Sequence, residues 1–177
     1  MSSPLWIFGY GSLLWDPGFT PAEQCRARLE GWHRSFSMRS IHYRGTAQDP
    51  GLVLALDQRA GAACDGIAMR VEQAQEAQVL AMLRARELIS DAYLERRLPV
   101  RCEDGRQIEV VAYVIDPHGA QYCDLPLEEQ AQIIARARGA RGPNVAYLRN
   151  TEAHLRAMGV QDADLAWLIA RVGEIGA

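Results

Sequence analysis

Two places in the sequence carry residue types that can do chemistry. The first is Gly9-Tyr10-Gly11-Ser12-Leu13-Leu14, where two glycines bracket a tyrosine at the end of an apolar run. Glycine admits backbone angles closed to other residues, so successive N–H groups of such a loop can point into one concavity. A nest of this kind binds a carboxylate or a developing oxyanion without any charged side chain. The same residues also fit a plain turn that ends a strand. The second place is Glu87. On a helix over about 72–88, residues three, four and seven apart share a face, so Leu80, Leu83 and Glu87 fall on one stripe. An acid then stands where an apolar side chain is expected. Held against apolar surface, it has a raised pKa and can carry protons near neutral pH. The alternative is that it pairs with Arg84 or Arg86, or meets water at the helix end. Glu76 lies near the same stripe but at the helix start, where acids are favoured and exposure is expected.

Better-known chemistries fail on spacing. A dinucleotide fingerprint needs glycine where Leu14 stands, a phosphate loop needs Gly-Lys-Ser/Thr, and a nucleophile elbow needs glycines at Tyr10 and Leu14. His33, His42, His118 and His154 show no zinc-ligand spacing, so no metal is expected. Cys25, Cys64, Cys102 and Cys123 lie far apart, which suits reduced thiols in a reducing compartment and a cytoplasmic address.

Several strands and helices must position these residues. The run 5–8 reads as a buried strand entering the glycine loop. The stretch 26–39 holds one or two strands, and 52–56 and 67–71 read as two more, with Asp65-Gly66 as a turn before the second. After the helix carrying Glu87, 97–101 and 108–115 read as strands joined at Asp104-Gly105. Helices then follow near Pro126 to Gly139, over 144–158, and over 162–172, with Asp162 as N-cap and Gly173 just past the end. Strands and helices do not alternate as a doubly wound sheet requires. The expectation is an α+β fold, a small mixed β-barrel of about six strands flanked by helices, with a helical C-terminal segment, in a single domain over 1–177.

Composition narrows the function further. The chain has 177 residues, 49% hydrophobic and 23% charged, with a net charge of −3 and no basic cluster. Nucleic acid is therefore not an expected partner. No apolar run approaches the roughly 18 residues needed to span a bilayer. Met1-Ser2-Ser3-Pro4 does not begin a signal peptide, and nothing asks for a protein partner.

The ordered motifs Trp6-Ile7-Phe8-Gly9-Tyr10-Gly11-Ser12-Leu13-Leu14-Trp15, Gly31-Trp32-His33-Arg34, Tyr43-Arg44-Gly45-Thr46, Arg86-Glu87 with Tyr93 following, and Gly142-Pro143-Asn144-Val145-Ala146-Tyr147-Leu148 cover nearly the whole chain. On them the chain resembles the ChaC-type γ-glutamylcyclotransferases, within the γ-glutamylcyclotransferase-like superfamily. The resemblance implies a small mixed barrel flanked by helices and cyclisation of a γ-glutamyl group to 5-oxoproline. Glutathione is the expected substrate, cysteinylglycine the leaving amine, and no cofactor is involved. It implies that the Gly9 to Leu14 loop binds the γ-glutamyl group and that Glu87 is the catalytic base; Tyr93, six residues after the glutamate, is a further candidate for substrate binding. One departure touches substrate preference: the glutathione-degrading branch often carries a glycine pair before that tyrosine, and this chain has Asp91-Ala92. Two alternatives stand beside it: a cyclotransferase for other γ-glutamyl amino acids or amines, and a non-catalytic regulator related to cation transport.

The implied chemistry suits the residues. The α-amine of a γ-glutamyl amide can close on its own γ-carbonyl, so the substrate supplies the nucleophile and no serine, cysteine or metal-bound water is needed. Tyr93 and Tyr147 can donate hydrogen bonds or be ordinary buried tyrosines. Arg44 can meet a substrate carboxylate or hold a structural salt bridge.

Overall fold

The computed structural model describes residues 2–177. Its centre is a closed five-stranded barrel in the order β1-β3-β2-β4-β5. The strands are β1 (Trp6–Gly9), β2 (Glu23–Ser40), β3 (Gly51–Arg70), β4 (Tyr93–Cys102) and β5 (Gln107–Ile115). All pairings are antiparallel except β1 with β5, which close the barrel in parallel at Ile7 and Val111. β1 has a neighbour on each side and all four of its residues are buried, which explains an apolar run without alternation.

The barrel's five strands come close to the expected six; 52–56 and 67–71 belong to one continuous β3. Asp65-Gly66 is no turn: Asp65 pairs with Arg28 and Gly66 with Ala27, so the ladder with β2 runs through both. The glycine is there for close approach. A Cβ on it would lie 2.4 Å from the Gly9 carbonyl and 2.8 Å from the Phe8 ring, where β1 crosses. β2 likewise runs unbroken for 18 residues. The two long strands shift register between Glu30 and Trp32 and between Ser35 and Met38, bulges that bend them around the barrel.

Among the described residues four α-helices flank the barrel: α1 (Glu76–Glu87), α2 (Leu127–Arg136), α3 (Asn144–Ala157) and α4 (Ala163–Ile175). A tiny ladder of β6 (Arg138–Gly139) and β7 (Gly142–Pro143) joins α2 to α3. Asp162 caps α4 as expected, accepting the Leu165 N–H at 3.1 Å. α4 does not stop before Gly173. It continues to Ile175, because Val172 is buried and Ile175 still packs on the core, and Gly176 caps it instead. α1 begins at Glu76, after a 3-10 turn over Gln73–Gln75, so the helical stretch is shorter than 72–88. Glu76 is not solvent-facing there: it is half-buried and its Oε1 accepts the Leu5 N–H at 3.1 Å, tying α1 to the entry of β1.

Candidate functional site

The position of Glu87 follows from how α1 docks. Val79 and Leu83 are buried against Leu5, Ile7, Leu13, Met69 and Val111. Burying each such side chain is worth about 1.5–3 kcal/mol, enough to fix the helix rotation. Leu13 belongs to the glycine loop, so the stripe that anchors α1 also touches that loop. Glu87 lies one turn beyond Leu83 on the same face, and its side chain is 13% exposed. Burial pushes its pKa up, against the opposing pull of Arg86 and Arg141. Both sequence readings of Glu87 hold together: it is sequestered, and Arg86 Nε stands 3.4 Å from its Oε1. Arg84 pairs elsewhere, with Glu95 at 2.9 Å.

Arg86 fastens the helix end to the loop. It donates to the Asp16 carbonyl at 2.6 Å and to the Ser12 hydroxyl at 3.3 Å. Residues Ser12–Leu14 form a single 3-10 turn. Neither Gly9 nor Gly11 has a positive φ, so the loop does not use the left-handed angles that the glycines permit. Gly11 is needed for space: a Cβ there would stand 3.1 Å from the Tyr147 hydroxyl. The N–H groups of Gly11, Ser12 and Leu13 meet no acceptor among the described residues, while Leu14, Trp15 and Asp16 return theirs to the turn. Gly11 and Leu13 are buried. Buried donors without partners are costly and rare, and they are the raw material of an anion site.

These groups surround a small inner chamber. Tyr10, Gly11, Ser12 and Leu13 form one wall, and Glu87, Tyr93, Tyr113, Tyr147 and Leu54 the rest. Gly9 and Leu14 do not reach it; Gly9 ends β1 and Leu14 packs on the core. Arg34 braces the loop from behind, donating to the carbonyls of Asp65 (2.8 Å) and Tyr10 (3.4 Å) while its Nε meets Asp162 at 3.0 Å.

The opposite wall is an open edge of β3. β1 covers that side of β3 only over 67–70, so at Leu52 and Leu54 side chains replace a strand. Asn144 brackets Leu52, accepting its N–H at 2.8 Å and donating to its carbonyl at 2.7 Å. Two tyrosines bracket Leu54: its N–H donates to the Tyr147 oxygen at 3.1 Å, and Tyr93 donates to its carbonyl at 2.8 Å. The Tyr147 hydroxyl accepts from the backbone and so keeps its own proton to give. Burial raises the pKa of Tyr10, Tyr93 and Tyr147, with Glu87 adding to the rise in each, so all three phenols stay protonated donors.

Outward from Ser12, Glu87, Tyr93 and Tyr147 the chamber widens into an open cleft. Trp15, Met38, Val53 and Ile89 give it apolar walls, and Arg44, Arg86 and Arg141 give it charge. Arg44 is 6% exposed and has no carboxylate partner among the described residues. It donates to the Pro143 carbonyl at 3.2 Å, and its guanidinium lies 5.9 and 5.7 Å from the rings of Trp15 and Tyr147. The structural salt bridge considered for it is therefore not formed. The sequence reading missed Arg141, Trp15 and Tyr43 at this cleft. No periodicity marks them; Arg141 and Tyr43 meet only when the β6–β7 turn folds against residues 42 and 43.

A sheltered carboxyl, unclaimed amide donors and protonated phenols in one chamber can hold an anionic group and move a proton beside it. An unpaired guanidinium outside can hold a second carboxylate.

Comparison with known proteins places the chain. The model of the family described as ChaC-like protein matches residues 5–175. The glutathione-specific γ-glutamylcyclotransferase of Escherichia coli is 38% identical over 173 residues, 97% of this chain and 74% of that one. The Schizosaccharomyces pombe protein of that name is 31% identical, over 91% of this chain and 87% of its own. The crystal structure of the yeast γ-glutamylcyclotransferase specific to glutathione superposes with a TM-score of 0.88 at 20% identity, covering 98% of this chain and 97% of that one, which establishes the shared fold. Among the described residues no helix is long and apolar enough to cross a membrane.

Proposed function

This chain belongs to the ChaC-like protein family, and from that membership we propose that it is a γ-glutamylcyclotransferase acting on glutathione, with Glu87 as its proton carrier. The observation that carries the reading is the inner chamber, lined both by a sheltered Glu87 and by the loop whose Gly11, Ser12 and Leu13 N–H groups are unclaimed. The relatives from Escherichia coli and Schizosaccharomyces pombe, both named for glutathione, support the substrate.

In the proposed reaction the γ-glutamyl group enters the chamber and the loop amides receive its negative charge. The chamber folds the glutamyl chain so that its α-nitrogen faces its γ-carbonyl, making attack intramolecular. Glu87 takes a proton from the α-ammonium. The freed amine attacks the γ-carbonyl carbon, forming the ring C–N bond and a tetrahedral oxyanion. Collapse of that intermediate breaks the peptide C–N bond as Glu87 returns its proton to the departing nitrogen. The second proton shed by the new lactam nitrogen ends on the released amine, as its ammonium. The products are 5-oxoproline and cysteinylglycine. A carboxyl raised by burial is suited to both transfers, because its affinity for the proton lies nearer neutrality.

Tyr147 and Tyr93 serve as donors and spacers at the chamber wall, and Gly9 and Leu14 support the loop from outside. Arg44 offers its unpaired guanidinium to a carboxylate of the substrate. Four cysteines, none in a disulfide, suit a reducing compartment, so the proposal includes a cytoplasmic address.

The test is incubation of the purified protein with glutathione, reading 5-oxoproline and cysteinylglycine by chromatography, with γ-glutamyl-alanine run in parallel. Glutathione is expected to give both products and the higher kcat/KM. Binding of glutathione without any 5-oxoproline would overturn the reading in favour of a regulator.

A further inference from the structure

The outer cleft holds more positive charge than its own acids neutralise. Arg44, Arg86 and Arg141 line it. Against them stand Glu87, beside Arg86, and Asp16, whose carboxylate lies 3.7 Å from both Arg86 and Arg141. Three guanidiniums against two carboxylates leave one positive charge.

That excess is concentrated on one side. Arg141 sits in the turn between β6 and β7, and the turn is stitched to the segment just before Arg44. Ala140 and Arg141 donate their N–H groups to the carbonyls of His42 and Tyr43 at 3.0 and 2.9 Å. The Arg141 guanidinium lies over the Tyr43 ring, 4.5 Å from its centre, with its side chain 42% exposed at the rim. Arg44 lies deeper, without an acid of its own. Burial and then Arg141 depress its pKa, so the two cations feel each other. Asp16 meets Arg141 at 3.7 Å but not Arg44, so the pair holds one more cation than its acid neutralises, and a guanidinium fork matches a carboxylate with two parallel N–H bonds.

The geometry of the substrate says which anion that is. The chamber and the cleft meet at Ser12, Glu87, Tyr93 and Tyr147. With the γ-glutamyl group inside, the scissile bond lies at that junction and the leaving amine points outward. A leaving dipeptide reaches about 7 Å when extended, which carries its terminal carboxylate toward the rim. We propose that Arg141, with Arg44 behind it, receives the C-terminal carboxylate of the leaving peptide, selecting γ-glutamyl peptides with a free terminus over γ-glutamylamines and end-capped peptides. This specificity role rests on the cyclotransferase reading.

The test compares kcat/KM for glutathione with that for its glycyl ethyl ester, in wild type, Arg141→Ala and Arg141→Glu. A charge-assisted hydrogen bond implies a wild-type preference for the free acid of about tenfold or more. Arg141→Ala is expected to bring the ratio near one, and Arg141→Glu to push it below one. Both changes fall on a rim side chain, and far-UV circular dichroism checks the fold. A residue that merely shaped the turn would lower both rates and leave the ratio alone. An unchanged ratio in Arg141→Ala, or a wild-type ratio near one, overturns the assignment while the cyclotransferase reading stands. No 5-oxoproline from either compound in the wild type overturns both.

Discussion

Replacing Glu87 by Gln keeps the side chain's volume and removes its ability to take a proton. Loss of a positioned acid–base group costs about 10²–10⁴-fold in rate, or roughly 3–5.5 kcal/mol of barrier. The surroundings allow that loss to be separated from structural damage. Val79 and Leu83 still anchor α1, and Arg86 keeps its bonds to the Asp16 carbonyl at 2.6 Å and the Ser12 hydroxyl at 3.3 Å. Only one long ionic contact, at 3.4 Å, disappears. Burial raises the folded pKa of Glu87 above its ordinary 4.5. The native state therefore binds this proton more tightly than the unfolded chain does. The stability that follows is fully present below pH 4.5 and is lost as pH rises through the folded value. At pH 7 the wild type carries that loss and Gln does not. Glu87→Gln should thus melt at or slightly above the wild-type temperature at pH 7, with the advantage shrinking toward pH 4, while 5-oxoproline formation falls by two orders of magnitude or more. In the wild type, kcat/KM should fall as pH drops through a pKa above 4.5, because the base becomes protonated. Turnover within tenfold of wild type in a folded variant would refute the assignment of the base.

Asn144→Ala removes both partners of the Leu52 peptide group, each worth about 1–3 kcal/mol when left buried and unpaired, so denaturant melts should lose several kcal/mol. Gly11→Ala places a methyl 3.1 Å from the Tyr147 hydroxyl, and a stability loss of about 1–3 kcal/mol with reduced turnover is expected from urea unfolding and product assays. Tyr147→Phe keeps the edge-on ring contacts with Trp15 and Phe36 but strands the Leu54 N–H, costing about 1–3 kcal/mol in the same melts; an unchanged midpoint would mean that bond contributes nothing.

Local order along the chain was largely legible in the residues. Trp6 to Phe8 reads as a buried strand because a strand covered on both sides needs no polar face. Asp104-Gly105 reads as a hairpin turn, and Gly105 indeed has a φ of +93°. Glu87 is visible as an acid one turn beyond Leu83, since helical periodicity is a property of neighbours in sequence. The mistaken turn at Asp65-Gly66 marks the limit of that logic: the same dipeptide serves a turn or a close crossing of β1, and only the partner strand decides. The site shows the limit more plainly. Leu54 is wedged between Tyr93 and Tyr147, residues 39 and 93 positions away, and Arg44 and Arg141 converge through a four-residue ladder of β6 and β7. Sequence determined which segments are strands and helices and which acid is out of place, because those follow from short-range sterics and burial. Only tertiary packing, barrel closure together with the docking of β6, β7 and α3, decided which distant donors and charges meet around that acid, because the free energy of those contacts exists only once the elements have come together.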